Sequence, residues 1–149
     1  MSFSIKGRTA IVTGAASGLG LAIARHFVRE GANVVFADMN EAALNHEVGE
    51  LAEESETVRL FTGDLRQKLS VANLLSTTVD AFDRVDILVN AARQVLPTQP
   101  LEADDTSVDE MLQQNLTLPL RLSQAVARRF LKQAEEEGDA EGSIGSIVN

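Results

Sequence analysis

Four kinds of position in this chain could do chemistry: the glycine-rich stretch Thr13-Gly14-Ala15-Ala16-Ser17-Gly18-Leu19-Gly20, and then Asp38, Asp64 and Asn90. Gly14 and Gly18 carry no side chain, so a ligand can approach the backbone there closely. A helix starting inside the stretch aims its unpaired N–H groups and positive dipole end at that ligand, which favours an anion such as a nucleotide phosphate. A glycine-rich turn of this kind also serves as a purely structural bend. Asp38 ends a β-branched run and, in a dinucleotide site, accepts hydrogen bonds from the ribose hydroxyls. An aspartate at a strand end is otherwise an ordinary turn residue or cap. Ala15, Ala16 and Met39 offer no cation to a ribose 2′-phosphate, so NAD(H) is expected over NADP(H).

These positions need strands and helices to bring them together, and the sequence alternates the two throughout. Arg8–Thr13 reads as a strand and Gly18–Glu30 as a helix with Leu19, Ile23 and Phe27 on one face. Val34–Ala37 reads as the second strand, ending at Asp38, and Asn40 as the N-cap of a helix carrying Leu44, Val48 and Leu51. Val58–Thr62 predicts a third strand, and Lys68–Phe82 a helix with apolar Val71, Leu75, Val79 and Phe82. Val85–Asn90 predicts the fourth strand. Asp104 or Asp105 opens a long helix with Val108, Leu112 and Leu116, an acidic turn follows at Glu135–Asp139, and Ile144–Val148 begins a fifth strand. Strands apolar on both faces belong in a parallel sheet covered by helices on both sides. Right-handed crossovers then give an α/β, Rossmann-type doubly wound parallel sheet ordered 3-2-1-4-5, with its ligand beyond the carboxyl ends of the strands. Gly14, Asp38, Asp64 and Asn90 all fall at those ends.

Composition narrows the alternatives. The 149 residues are 44% hydrophobic and 23% charged, ordinary for a globular α/β chain, and suggest a single domain over 1–149. The net charge of -9 argues against a nucleic-acid partner. The apolar runs are too short to span a membrane, and the first residues lack a signal peptide's apolar core. The absence of cysteine removes thiolate chemistry and fits a cytoplasmic setting. His26 and His46 fall in helical patterns away from any carboxylate or serine constellation and read as surface residues, so no metal site is expected.

The spacing Gly-x-x-x-Gly-x-Gly in Thr13–Gly20 resembles the cofactor motif of the short-chain dehydrogenase/reductase family. Further matches follow in order: Asp64-Leu65, the strand-four segment Asp86–Ala92, Asn115-Leu116-Thr117 and Gly145–Asn149. The resemblance covers essentially the whole chain. It implies cofactor contacts from Gly14, Ser17, Gly18, Leu19, Gly20, Asp38, Met39, Asp64, Leu65, Asn90, Ala91 and Ala92, with Asp64 and Leu65 at the adenine ring, and a catalytic role for Asn115. It also implies NAD-dependent interconversion of an alcohol and a carbonyl, and a homo-oligomer.

The chain departs from the family pattern in two places. Ala91 and Arg93 stand where the family's strand-four motif has Asn and Gly, which changes local hydrogen bonding; Arg93 could reach a phosphate or an acidic substrate, or simply face solvent. The sequence stops inside strand five, before the family's active-site Ser and its Tyr-x-x-x-Lys, and it contains no tyrosine. It therefore reads as the cofactor half of an oxidoreductase, truncated after strand five; a non-catalytic NAD-binding or interaction protein is the alternative. A methyltransferase would share the glycine turn and the strand-two carboxylate but not the strand-four motif. Finally, Pro119 has no N–H to give the carbonyl of Asn115 four residues earlier. A kink is expected there, with a freed Asn115 carbonyl that needs another partner, usually water; the resemblance implies that such a water relays protons toward the family's catalytic Lys.

Overall fold

The protein is described by a computed structural model that covers residues 4–138 and 143–149. Among these residues the elements run β1 Thr9–Thr13, α1 Gly18–Arg29, β2 Asn33–Asp38, α2 Glu41–Glu54, β3 Val58–Thr62, α3 Lys68–Phe82, β4 Ile87–Asn90, α4 Ser107–Leu112, a π-helical turn Gln113–Thr117, α5 Leu118–Glu137 and β5 Ser146–Val148. The sheet is parallel and ordered β3-β2-β1-β4-β5, as the sequence predicts.

Period-two alternation divides the core. Val12, Val34, Phe36, Val58 and Val89 face α1 and α2, where they meet Leu21, Ala24, Leu44 and Val48. Ile11, Val35, Ala37 and Leu88 point the other way, onto Leu74, Leu118, Leu122, Val126 and Phe130 of α3 and α5. Both faces of the central strands are therefore dry, and each fully buried Val, Ile, Leu or Phe contributes roughly 1.5–3 kcal/mol.

Several helical faces differ in phase from the sequence reading. Leu19 is 72% exposed, while Gly20, Leu21 and Ala24 are the buried positions of α1. In α3, Leu74 and Thr78 are buried, and Val71, Leu75, Val79 and Phe82 flank them half-buried. Glu135–Glu137 continue α5 rather than forming a turn, and the helix stops at Gly138 with φ 68°; Asp139 lies outside the described residues. Asn40 does cap α2, its side chain accepting from the Ala43 N–H at 3.0 Å.

The largest difference lies in the long helix. Asp105 stands just ahead of it, before the N-cap Thr106, its carboxylate accepting from the Ser107 N–H at 2.8 Å, the Ser107 hydroxyl at 3.0 Å and the Gln99 N–H at 2.7 Å. Those donors hold the Asp105 carboxyl below its usual range, the Ser107 N–H contributing most. Ahead of Pro119 the helix widens into a π-turn, in which the Leu118 N–H bonds back to the Gln113 carbonyl. The wider turn changes the helix's facing. Beyond it Leu118, Leu122, Val126 and Phe130 point inward. Val108, Leu112, Leu116 and Leu120 are 50%, 51%, 61% and 55% exposed.

Candidate cofactor site

The carboxyl ends of β1, β2 and β4 open onto a cavity of about 510 Å³. Gly14, Ser17, Gly18, Leu19 and Gly20 form one wall, Asp38, Met39, Asp64 and Leu65 another, and Ala91 and Ala92 a third. Eleven of the twelve predicted cofactor contacts thus line one space. Asn90 does not. It lines a neighbouring cavity of about 430 Å³ together with Asn115, Ser123 and Asn149. Its Nδ2 donates to Ser123 Oγ at 3.2 Å and to Asn149 Oδ1 at 2.8 Å, so the end of β4 turns the side chain away from the glycine loop.

The glycine turn is built by close approach. A β-carbon on Gly20 would collide with the carbonyl oxygen of Gly14 and lie 2.9 Å from that of Thr13. Only a residue without a side chain lets α1 begin this close to β1. Gly18 is different. Its φ is +52° and nothing lies within 4 Å of where its β-carbon would be, so its backbone faces the cavity unobstructed. The loop is pinned from β2 as well: the Ala15 N–H donates to the Ala37 carbonyl at 3.2 Å.

Asp38 binds this loop directly. Its Oδ2 accepts from the Ala16 N–H at 3.0 Å and its Oδ1 from the Asn40 N–H at 2.9 Å. Each oxygen keeps further acceptor capacity for a ligand hydroxyl. Asp64 is more heavily engaged. Arg66 grips it with Nε at 2.8 Å and a terminal nitrogen at 2.9 Å, and the Arg66 N–H adds a bond of 3.0 Å. That guanidinium holds the Asp64 carboxyl below its usual range. Arg66 is a feature the sequence reading missed, because an Asp-x-Arg pair two residues apart in a loop has no periodic signature.

The Ala91–Arg93 departure leaves the loop intact. The Ala92 N–H donates to Thr13 Oγ1 at 3.2 Å. Arg93 takes no left-handed φ, the position where a glycine would have been needed. Arg93 lines both cavities.

Asn115 reaches this loop through its side chain. Its Oδ1 accepts from the Gln94 N–H at 2.8 Å and its Nδ2 donates to the Gln94 carbonyl at 2.7 Å. Gln133 treats the start of β4 in the same way, pairing with the Val85 N–H at 2.9 Å and the Val85 carbonyl at 2.8 Å. Two amides of the α4–α5 helix thus hold the strand at one end and the loop beyond it at the other. Neither clamp was read from the sequence, nor was Gln114, which also lines the main cavity. The extra residue in the π-turn defeats a phase count based on 3.6 residues per turn.

Away from the site, buried Asp86 accepts from the Thr9 N–H at 2.9 Å and pairs with Arg84 at 2.7 Å, a structural cluster at the opposite end of the sheet. His26 and His46 are exposed. Among the described residues no helix is long and apolar enough to cross a membrane, and no cluster of His, Cys, Asp and Glu has metal-ligand geometry.

The short chain dehydrogenase family model matches residues 8–149. An uncharacterized oxidoreductase of Staphylococcus epidermidis is 33% identical over 146 residues, covering 97% of this chain and 58% of the relative. A diacetyl reductase ((S)-acetoin forming) of the same species is 33% identical over 142 residues, 95% of this chain and 52% of the relative. The chain therefore spans about half the length of the curated relatives it matches. Among solved structures, the 3-ketoacyl-(acyl-carrier-protein) reductase of Brucella melitensis complexed with NADH superimposes with a TM-score of 0.78 at 26% identity, covering 91% of this chain and 55% of that one. A Caenorhabditis elegans short-chain dehydrogenase/reductase with cofactor shares the fold, with a TM-score of 0.81 at 22% identity over 99% of this chain and 53% of that one. Motif spacing, sheet order and family match agree: this chain belongs to the short-chain dehydrogenase/reductase family.

Proposed function

We propose that the chain, as a single domain, binds a nicotinamide dinucleotide, NAD(H) in preference to NADP(H), and forms the cofactor half of an oxidoreductase that interconverts an alcohol and a carbonyl. One observation carries this reading: the open backbone at Gly18 and the Asp38 carboxylate line the same cavity, coupled by the Ala16 N–H. The lining fits the group. Gly18 and the first N–H groups of α1 would meet the pyrophosphate, Asp38 the adenosine ribose hydroxyls, and Leu65 and Asp64 the adenine. Met39, Ala15 and Ala16 give a ribose 2′-phosphate no counter-charge. The bound nicotinamide would supply hydride transfer to or from the carbon of the substrate.

Asn115 acts in this reading as a positioning residue, since its side-chain amide is committed to Gln94 and so fixes the loop that walls both cavities. Pro119 leaves its carbonyl without the usual helical donor, which supports the relay role expected of it. The 149 residues contain no tyrosine, so the family's proton-exchanging acid is not among them. A second reading is a non-catalytic NAD-binding or interaction protein. We further propose self-association through the exposed stripe Val108, Leu112, Leu116 and Leu120.

Calorimetric titration of the purified chain with NADH and NADPH tests the cofactor assignment: saturable NADH binding tighter than NADPH supports it, and no binding of either removes it. A turnover assay with NAD and a panel of short alcohols separates the two functional readings.

A further inference from the structure

Arg93 occupies an unusual place. It lies on the wall shared by the two cavities at the strand ends, about 510 Å³ and about 430 Å³. In the smaller one it is the sole charged side chain among the lining residues, whose other polar members are the neutral Asn90, Asn115, Ser123 and Asn149. In the larger one the two carboxylates already have partners: Asp64 is held by Arg66, and both oxygens of Asp38 accept backbone N–H groups. Among the described residues no carboxylate lies within salt-bridge distance of the Arg93 guanidinium; the same holds for Arg29, Arg59, Arg121, Arg128 and Arg129, but of these six only Arg93 lines the two cavities at the strand ends.

Its backbone, by contrast, is fixed on both sides. Ala92 is tied to Thr13 at 3.2 Å, and Gln94 is held by both atoms of the Asn115 amide at 2.8 and 2.7 Å. A long cation is thus carried on a backbone held on both sides, at a position that lines both cavities, the larger of which Gly18 and the start of α1 also line. Guanidinium presents a planar fork of donors matched to the oxygens of a phosphate or carboxylate, and it remains charged at every physiological pH.

We infer that Arg93 is an anion-binding residue of this site, pairing with an anionic oxygen of the ligand: a dinucleotide phosphate in the larger cavity or a carboxylate on the substrate in the smaller. The assignment rests on the proposed cofactor reading for its location, but its charge chemistry is tested independently of it.

The wild-type chain and Arg93→Gln are compared by thermal melting, which is expected to coincide because the side chain supports no other group. Both are then titrated with inorganic pyrophosphate and with NADH, and separately with short hydroxy- and oxo-carboxylates beside the corresponding neutral amides. A loss on the order of tenfold or more in pyrophosphate and NADH affinity in the variant assigns the phosphate. A preference for carboxylate over amide that disappears in the variant assigns the substrate anion. Equal binding of all probes by the two proteins overturns the inference. If the wild type binds pyrophosphate or carboxylates through Arg93 but not NADH, the cofactor proposal fails while the anion site stands.

Discussion

Asp38 offers the sharpest test of how the site works, because its structural role and its proposed recognition role separate in one variant. In Asp38→Ala the Ala16 and Asn40 N–H groups lose acceptors at 3.0 and 2.9 Å. Ala16 is 4% exposed, so its N–H is left with little water to replace the carboxylate. A hydrogen bond to a charged group contributes about 1.5–3 kcal/mol, and the lower end applies to a half-buried carboxylate such as this one. Loss of the ribose contact should therefore weaken NADH binding about 10–100-fold. NADPH binding should move less. It loses the same loop support, but it also loses repulsion between the carboxylate and the 2′-phosphate, about 1–2 kcal/mol for charges several ångströms apart near a protein surface. The proposed wild-type preference for NADH, expected to be roughly tenfold or more, should then collapse to near unity. Fluorescence or calorimetric titration of both cofactors against both proteins gives the four affinities. If the two affinities fall together and their ratio is unchanged, Asp38 acts only by holding the glycine turn, and the ribose assignment is wrong.

Gly20→Ala should be among the most damaging single-methyl changes in the chain, since the new carbon collides with the Gly14 carbonyl; both melting temperature and NADH binding should fall, and a variant that binds normally would show that the turn relaxes freely. Gln133→Leu strands the N–H and carbonyl of buried Val85, and denaturant unfolding should report a loss of about 2–4 kcal/mol. Arg66 lowers the Asp64 pKa in the folded protein, so the unfolded state takes up the proton first as pH falls. The pair's stabilisation is present above about pH 4 and is lost as pH drops through the lowered folded value. Asp64→Asn should accordingly be less stable than wild type at pH 7 and show a shallower decline in melting temperature below pH 4. Replacing Leu112 and Leu116 together by Glu removes two exposed leucines from the apolar stripe; light scattering should show a smaller species than wild type, and no change in size would exclude this face as the self-association surface.

Much of the architecture is legible in the sequence because its cause is local. Val58–Thr62 and Lys68–Phe82 appear with the predicted bounds, since β-branched runs and a sustained helical period each determine an element from its own residues. The sheet order follows from short right-handed crossovers, and the glycine spacing locates the turn because steric exclusion at Gly20 is a property of a strand leading straight into a helix. Tertiary structure decides what depends on partners distant in sequence. Gln94 and Asn115 are 21 residues apart, and Val85 and Gln133 are 48 apart, so neither clamp leaves any pattern a short window can detect. Leu19, Val108, Leu112 and Leu116 have the apolar character of core residues, yet only packing determines which face of a helix meets the sheet. Pro119 announces a disturbance by its missing N–H. The form of that disturbance, a π-turn that places Gln114 at the larger cavity and Asn115 on the Gln94 loop, depends on the sheet and loop against which the helix packs.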